Sequence, residues 1–504
     1  MATSSLQRLF LLLLAATLIF RVWFAHALPF TGDEAYFYYW GKVPDWGFYD
    51  HPPMVGWWLA AFQAVSDNTA WLRLPSVILP AVMAISLWRF LRTQDEPLAL
   101  AAAMLVLLAP ANVWNVAITT DIPLVYFSFF SVLCFLRAVR DDAPLWYLAA
   151  GVLLGGAFLS KYFSGLLGLA YAVGLLWRAS PARIMGLALI VLGALPAVAL
   201  NVWWNMGHCW ANIMFNIFNR HGSAGWSWKT PLLYGATLLY LLTPPVVWAA
   251  VRNPGAWRMM RADRQRAALV MVAGVPLVIF ALLSVIKTIG MHWLLSFVPF
   301  ALLAVAMRVA PAVRERWVKL FAGFAVLHMA LVVVIASLPV ETWRKSRLYD
   351  GIILTVKSQE LLDALAPYAR DHVFMTDGYS PSVTLSFNAG RYFPVFGEAS
   401  SHARHDDILT DFRAFDGKKI LVLTKGEIDR AHYLPYFERV EFRQIEVRGA
   451  RYWIALGEGF NYPAYREAVL ERARSRWYAV PRWLPRTGCY FCERYFPERG
   501  CVAP

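Results

Sequence analysis

Residues 31–40, Thr-Gly-Asp-Glu-Ala-Tyr-Phe-Tyr-Tyr-Trp, and residues 46–53, Trp-Gly-Phe-Tyr-Asp-His-Pro-Pro, follow the first long apolar segment of the chain. Together they place Asp33, Glu34 and Asp50 within a run of aromatic side chains. Carboxylates at the edge of a bilayer are energetically costly and usually mark a functional site. We therefore expect these two stretches to form the acid/base part of a membrane-embedded site.

The composition indicates an α-helical polytopic membrane protein. Of the 504 residues, 59% are hydrophobic and 16% charged, and the mean hydropathy is +0.47, which is too apolar for a soluble chain of this length. Residues 341–504 nevertheless contain 24 of the 47 Lys and Arg residues and 21 of the 33 Asp and Glu residues. The sequence thus predicts a membrane domain at 1–340 and a soluble-like domain at 341–504.

The net charge of +14 does not indicate a nucleic-acid partner. Most of the basic surplus lies before residue 341, in short arginine-containing loops such as 252–266. Such loops are typical of the cytoplasmic side of a membrane protein. The loops 29–71, 113–121, 205–230 and 287–291, and the chain after 340, are then expected on the extracytoplasmic side.

A span of the hydrocarbon core needs about 20 apolar residues. This template predicts eleven transmembrane helices, the first of which is not a signal peptide because many spans follow it. The predicted spans are 8–28, 72–92, 97–115, 122–139, 145–160, 162–178, 183–204, 231–251, 267–286, 292–308 and 317–338. Within the first extracytoplasmic loop, 33–40 and 52–65 are predicted to form juxtamembrane helices too short to span.

The last 164 residues show a different pattern. Ser358–Tyr368 has helical periodicity, whereas 372–377 and 419–424 have the composition of buried strands. Residues 442–447 and 452–456 are predicted to form a hairpin around Arg448-Gly449-Ala450. Alternating strands and helices indicate a small extracytoplasmic α/β domain.

The acidic residues admit a structural interpretation as well as a functional one. A carboxylate in the first turn of a helix is stabilised by the helix dipole, so Asp33-Glu34 is also compatible with a simple helix cap. However, Asp121 begins another span on the same predicted face, and Asp50-His51 lies between them in sequence. This grouping favours a functional site.

Four motifs arrive in order over residues 31–163 and together resemble a known family. They are Gly32–Trp40, Gly47–Val55, Thr119-Thr-Asp-Ile-Pro-Leu124 and Leu159-Ser-Lys-Tyr-Phe163. They resemble the membrane glycosyltransferases of the GT-C fold, in particular the bacterial branch of family 39, the dolichyl-phosphate-mannose protein mannosyltransferase-like proteins. The lipid A aminoarabinose transferases are more distantly similar.

The resemblance implies inverting transfer of one sugar from a polyprenyl-phosphate donor to a lipid, glycan or protein acceptor. The reaction would take place on the periplasmic side of the bacterial inner membrane. An acceptor hydroxyl must lose a proton as it attacks the anomeric carbon, so we expect Asp33 to be the general base, with Glu34 supporting it. Asp121 is the third expected catalytic carboxylate. Neither the sugar nor the acceptor follows from the residues.

The developing charge on a phosphate leaving group requires cations. The candidate phosphate-binding residues are His51, Lys161, Arg220, His221, Lys287 and His292. The candidate substrate-binding residues are Tyr36, Asp50, Tyr162 and Trp226. In the aminoarabinose relatives a lysine is typical at the position of His51, and histidine is only partly charged at neutral pH. Lys161 also has a structural alternative, in which its chain extends to the interface.

Three further alternatives concern cofactor, cysteines and activity. No cofactor is expected, although Asp33, Asp50 and Asp121 have the oxygen ligands that a divalent cation prefers.

Cys489, Cys492 and Cys501 are a weak match to a zinc site and favour a disulfide outside the cytoplasm. Cys134 and Cys209 are expected to be lone residues. The alternative function is a transporter or flippase of lipid-linked sugars. It is disfavoured because the ionisable groups concentrate at one interface and no repeat is evident.

Overall fold

The computed structural model describes residues 3–177, 179–218, 225–252, 255–398 and 405–501. The chain divides into two compact units, each described separately below. The helical unit comprises 1–28, 62–200 and 223–337, and the sheet unit comprises 29–61, 201–222 and 338–504. The division predicted at residue 340 stays a prediction, because 29–61 and 201–222 cluster with the C-terminal residues.

Six helices in the described part of the chain are long and apolar enough to cross a membrane. They are Thr3–Ala27, Thr69–Leu91, Asp121–Asp141, Pro181–Gly207, Arg264–Ser284 and Pro311–Ser337. A seventh candidate consists of Lys229–Leu242 and Pro244–Arg252, which meet at a bend of 106°. The protein is therefore a multi-pass helical membrane protein.

The other predicted spans correspond to shorter apolar helices. These are Glu96–Leu107, Pro144–Phe158, Tyr162–Leu176 and Val298–Ala306. Proline explains one break: the predicted span 97–115 ends as a helix at Leu107, and a second short helix begins at Pro110. The number of eleven spans stays a prediction.

Glycines allow two helices of the helical unit to approach each other closely. A Cβ atom on Gly151 would lie 2.3 Å from the carbonyl oxygen of Ile190. A Cβ atom on Gly193 would lie 2.7 Å from the carbonyl oxygen of Leu148. Small residues at helix crossings are the usual means of packing in a bilayer, where burial between helices gains little.

Two buried arginines, which the sequence analysis did not single out, hold the first helix in place. Arg21 donates to the carbonyls of Val77 at 2.9 Å and Asn115 at 2.7 Å. Arg73 donates to the carbonyls of Ala25 and Leu28, both at 2.7 Å, and so caps the end of Thr3–Ala27. An arginine within an apolar segment is the sequence signal for such a role.

The sheet unit contains a four-stranded mixed sheet, as an α/β domain requires. The strands are β1 (Val373–Thr376), β2 (Ile420–Thr424), β3 (Phe437–Val447) and β4 (Ala450–Phe460), in the order β1-β2-β4-β3. β1 and β2 are parallel and the other pairs antiparallel. The predicted strands and hairpin are confirmed, with a longer hairpin than expected.

Every residue of β2 is buried, because both faces of the sheet are covered. Ile420 and Val422 belong to one apolar cluster, and Leu421 and Leu423 to another. This alternation follows from the two-residue period of a strand. The helices of the C-terminal region are Tyr349–Val356, Ser358–Leu365, Tyr379–Ala389, Glu471–Trp477 and Tyr490–Tyr495.

Both predicted juxtamembrane helices are present, as Gly32–Lys42 and Met54–Gln63. The first packs on Tyr379–Ala389. Phe30 stacks on Phe387 with ring centroids 4.5 Å apart, and a Cβ atom on Gly32 would lie 2.5 Å from Oγ of Ser380. The start of the helix that carries Asp33 is therefore held against the C-terminal part of the chain.

Candidate active site

The neighbouring carboxylates Asp33 and Glu34 have different environments. Thr31 is the N-cap of Gly32–Lys42, and its Oγ1 accepts from the backbone N–H of Glu34 at 3.3 Å. The Glu34 carboxylate accepts in return from the backbone N–H of Thr31 at 3.1 Å, which completes a capping box. Glu34 is 0% exposed, whereas Asp33 is exposed. The helix thus uses Glu34 structurally and presents Asp33 outward.

Tyr36 and Asp50 lie together in the sheet unit. The Tyr36 hydroxyl donates to Oδ1 of Asp50 at 3.1 Å. Burial, followed by the charge of Asp50, holds the pKa of the Tyr36 phenol well above its usual value, so it remains a donor. Nε2 of His51 lies 4.0 Å from the other Asp50 oxygen. The two juxtamembrane stretches therefore meet through three predicted site residues.

An aromatic cluster supports this group. Trp40 stacks on Phe48 with centroids 4.2 Å apart and planes inclined by 6°. The His405 ring makes T-shaped contacts with both rings, at centroid distances of 5.7 and 5.1 Å, and its backbone N–H donates to the Tyr36 hydroxyl at 3.3 Å. Gly56 is required here, because its Cβ would lie 2.5 Å from the Phe48 ring.

Two asparagines, which the sequence analysis missed, hold the turn before His51. Nδ2 of Asn212 donates to the carbonyl of Phe48 at 2.9 Å, and Nδ2 of Asn216 donates to the carbonyl of Asp50 at 2.8 Å. The amides are four residues apart, and the second lies in a π-helical turn, Met214–Phe218. π-Helical turns are frequent at functional sites. The spacing of two asparagines beside an aromatic segment was the available signal.

Two disulfides bind the sheet unit together. Cys492 pairs with Cys501, as the sequence favoured for these residues, whereas Cys209 pairs with Cys489. The prediction that Cys209 is a lone residue is therefore wrong. The two cysteines are 280 residues apart, so their proximity depends on tertiary structure. Among described residues, Cys134 is the free cysteine.

The cysteine sulfurs also form the group in the described chain with metal-ligand spacing. The sulfurs of Cys489, Cys492 and Cys501 lie within 4.8 Å of one another. Their engagement in two disulfides accounts for this clustering. Thiolates, rather than disulfide sulfurs, are the form that binds zinc.

In the helical unit, Lys161 and Asp121 form a buried ion pair. Nζ of Lys161 lies 2.8 Å from Oδ1 of Asp121, and the two residues are 7% and 6% exposed. Asp121 starts the helix Asp121–Asp141, and Lys161 precedes the short turn at Tyr162–Ser164. Two predicted site residues that are 40 positions apart are thus neighbours. Lys161 therefore has a buried carboxylate partner, which it would lack if its side chain extended to the membrane interface.

Aromatic contacts connect the Lys161 segment with the stretch around His292. Phe163 packs on Trp293 with centroids 4.3 Å apart. His292 lies in the 3-10 turn Met291–Leu294. Tyr162 contacts Phe158, the last residue of the preceding helix, with ring centroids 5.2 Å apart. The turn therefore lies beside the helix connection that carries Lys161.

The backbone around Trp226 lies next to the end of Arg264–Ser284. The N–H of Gly225 donates to Ile286 at 3.3 Å, and the N–H of Ser227 donates to Val285 at 3.2 Å. These contacts place the Trp226 segment next to Val285 and Ile286, the two residues that directly precede Lys287. Trp226 itself is 71% exposed. Arg220 and His221 lie outside the described residues.

The fold is that of a multi-pass helical membrane protein with a four-stranded sheet in its second unit. Residues 50–204 match the family described as dolichyl-phosphate-mannose-protein mannosyltransferase. A segment of 190 residues is 29% identical to the lipid A galacturonosyltransferase RgtD of Rhizobium johnstonii, over 36% of this chain and 40% of that protein. The matching segment thus spans less than half of the curated relative.

The solved structures of ArnT from Cupriavidus metallidurans have a similar fold. The structure bound to undecaprenyl phosphate matches with a TM-score of 0.58 and 16% identity, over 90% of this chain and 98% of that one. The apo structure matches with a TM-score of 0.57 over the same shares. The predicted GT-C fold is therefore confirmed.

Proposed function

We propose that the chain transfers a monosaccharide from a polyprenyl-phosphate donor to a cell-envelope acceptor, with inversion, on the periplasmic side. The observation that carries this proposal is the exposed Asp33 beside a Glu34 that is occupied in a capping box. A single outward carboxylate at a helix start suits one general base. The family match over 50–204 and the similarity to a lipid A glycosyltransferase support the reaction class.

The proposed step is a single displacement. Asp33 takes the proton of the acceptor hydroxyl as that oxygen bonds to the anomeric carbon. The bond between that carbon and the phosphate oxygen breaks, and the lipid phosphate leaves with the electron pair. The sequence names His51, Lys161, Lys287 and His292 as candidates to stabilise its charge. We assign Asp121 a positioning role, since it holds the Lys161 ammonium at 2.8 Å.

The disulfides support the proposed side of the membrane. Cys209–Cys489 and Cys492–Cys501 both lie in the sheet unit. Disulfides form and persist in oxidising compartments such as the periplasm. The arginine-containing loops would then face the cytoplasm, as the distribution of basic residues predicts.

The test is mass spectrometry of envelope lipids and glycans from cells with and without the gene. We expect one missing sugar in the deletion strain, restored by the wild-type gene and by Asp67→Asn, the control at another exposed aspartate. Asp33→Asn, shown to be folded and membrane-inserted, is expected not to restore it. An unchanged profile without the gene would contradict the proposal, and full restoration by Asp33→Asn would remove Asp33 as the base.

A further inference from the structure

The turn Pro481–Leu484 presents a large aromatic side chain outward. The N–H of Leu484 donates to the carbonyl of Pro481 at 3.1 Å, which closes the turn. Leu484 points into the apolar core, whereas Trp483 is 73% exposed and Arg482 beside it is also exposed. Exposing tryptophan to water forfeits much of the free energy that its burial would gain. At a bilayer interface, in contrast, an outward tryptophan keeps an apolar environment for its ring.

Hydrogen bonds and a disulfide connect the segment after this turn with residues 206–210. The indole N–H of Trp210 donates to the carbonyl of Pro485 at 2.7 Å, and the N–H of Thr487 donates to the carbonyl of Met206 at 2.9 Å. The disulfide Cys209–Cys489 closes the same junction. Because two residues span about 7 Å of extended chain, Trp483 must lie near this attachment.

The attachment point is the end of a membrane-spanning helix. Pro181–Gly207 has 27 residues and passes the length and hydropathy test for a span. At 1.5 Å per residue it is about 40 Å long, close to the full bilayer thickness of roughly 40–45 Å with headgroups. Its last turns therefore lie at headgroup level. Trp203, 61% exposed near that end, is a residue type enriched at this level.

We propose that the turn Pro481–Leu484 is a membrane-interface anchor, with Trp483 in the headgroup layer and Arg482 contacting lipid phosphate. Tryptophan has an apolar ring and one N–H donor, which suit the boundary between acyl chains and water. An arginine guanidinium forms strong hydrogen bonds to phosphate oxygens. The anchor holds the C-terminal part of the chain at the bilayer surface, independently of whether the chain transfers sugars.

The test uses the full-length protein, labelled with 5-fluorotryptophan, in nanodiscs of phosphatidylethanolamine and phosphatidylglycerol. The fluorine resonance of Trp483 is the one lost in Trp483→Phe, so the variant serves only for assignment. We expect a lipid carrying a spin label near the headgroup to remove most of its intensity, and an aqueous gadolinium chelate to reduce it less than the labelled lipid does. The control resonance, assigned with Trp453→Phe, comes from a partly buried residue of β4 and should lose less intensity to the labelled lipid than that of Trp483.

Two results would overturn the anchor. Loss of the Trp483 signal to the aqueous chelate, without loss to the labelled lipid, would place the side chain in water. A signal that responds to neither agent would mean that protein, either a second copy or another partner, covers the turn.

Discussion

Nζ of Lys161 lies 2.8 Å from Oδ1 of Asp121, and both side chains are more than nine-tenths buried in the helical unit. Removing one partner of a buried pair leaves an uncompensated charge, at a cost of about 3–5 kcal/mol. We expect Lys161→Met and Asp121→Asn each to lower the thermal unfolding midpoint. The double variant should recover part of the loss, as a double-mutant cycle of unfolding midpoints measures. If the loss in the double variant equalled the sum of the two single losses, a direct pairing of the side chains would be contradicted.

Two substitutions of Glu34 distinguish a structural role of this residue from a role in the chemistry. Glutamine also forms a capping box, so Glu34→Gln should keep both the stability and the transfer activity. Glu34→Ala removes the side-chain acceptor and should cost about 1 kcal/mol. Circular dichroism during unfolding and the envelope-sugar assay measure the two effects. A stable Glu34→Gln variant without activity would instead give Glu34 a role in the chemistry.

Asn216 is expected to act through the turn that it holds. Asn216→Ala removes the amide that donates to the Asp50 carbonyl at 2.8 Å, a loss of about 0.5–1.5 kcal/mol. Because His51 follows directly, the KM for the lipid-linked donor should rise more than kcat falls. The control is Asn388→Ala, whose amide bonds within its own helix to Thr384 at 2.8 Å. Equal kinetics for the two variants would exclude a positioning role for Asn216.

The disulfide Cys209–Cys489 should stabilise the fold measurably. Loss of a native disulfide typically costs about 2–5 kcal/mol. We expect the double variant Cys209→Ser/Cys489→Ser to unfold at lower temperature, whereas Cys134→Ser should change the midpoint little. Alkylation of the unreduced protein, followed by mass spectrometry, tests the pairing directly. A wild-type protein that is labelled at Cys209 without reductant would contradict it.

The buried His405 should make the folded protein less stable in acid. Burial lowers the pKa of this imidazole from 6.5 to about 3. Between these values the unfolded chain binds the proton and the folded chain does not, so this contribution is full above pH 6.5 and is lost as the pH falls toward 3. The slope is up to about 1.4 kcal/mol per pH unit. His405→Phe should show a shallower decline in unfolding midpoint between pH 6.5 and 4.5, and an identical slope would contradict the assignment.

Much of the architecture was predictable because its signals are local. Spans are predicted by the length of apolar runs, and buried strands by short, continuous apolar runs, so Ile420–Thr424 and the two juxtamembrane helices were recognised. The break between Leu107 and Pro110 was not recognised, because a single proline changes the overall hydropathy of an apolar segment little.

The sequence by itself determined the membrane character, the α/β region and the set of candidate ionisable residues, since composition and periodicity carry that information. Only the tertiary structure decided which residues become partners. It paired Asp121 with Lys161 and Cys209 with Cys489, and it occupied Glu34 in a cap while leaving Asp33 exposed. The physical reason is that hydrogen bonds, ion pairs and disulfides form over a few ångströms, between residues that can be far apart in the chain, as the 280 positions between Cys209 and Cys489 show.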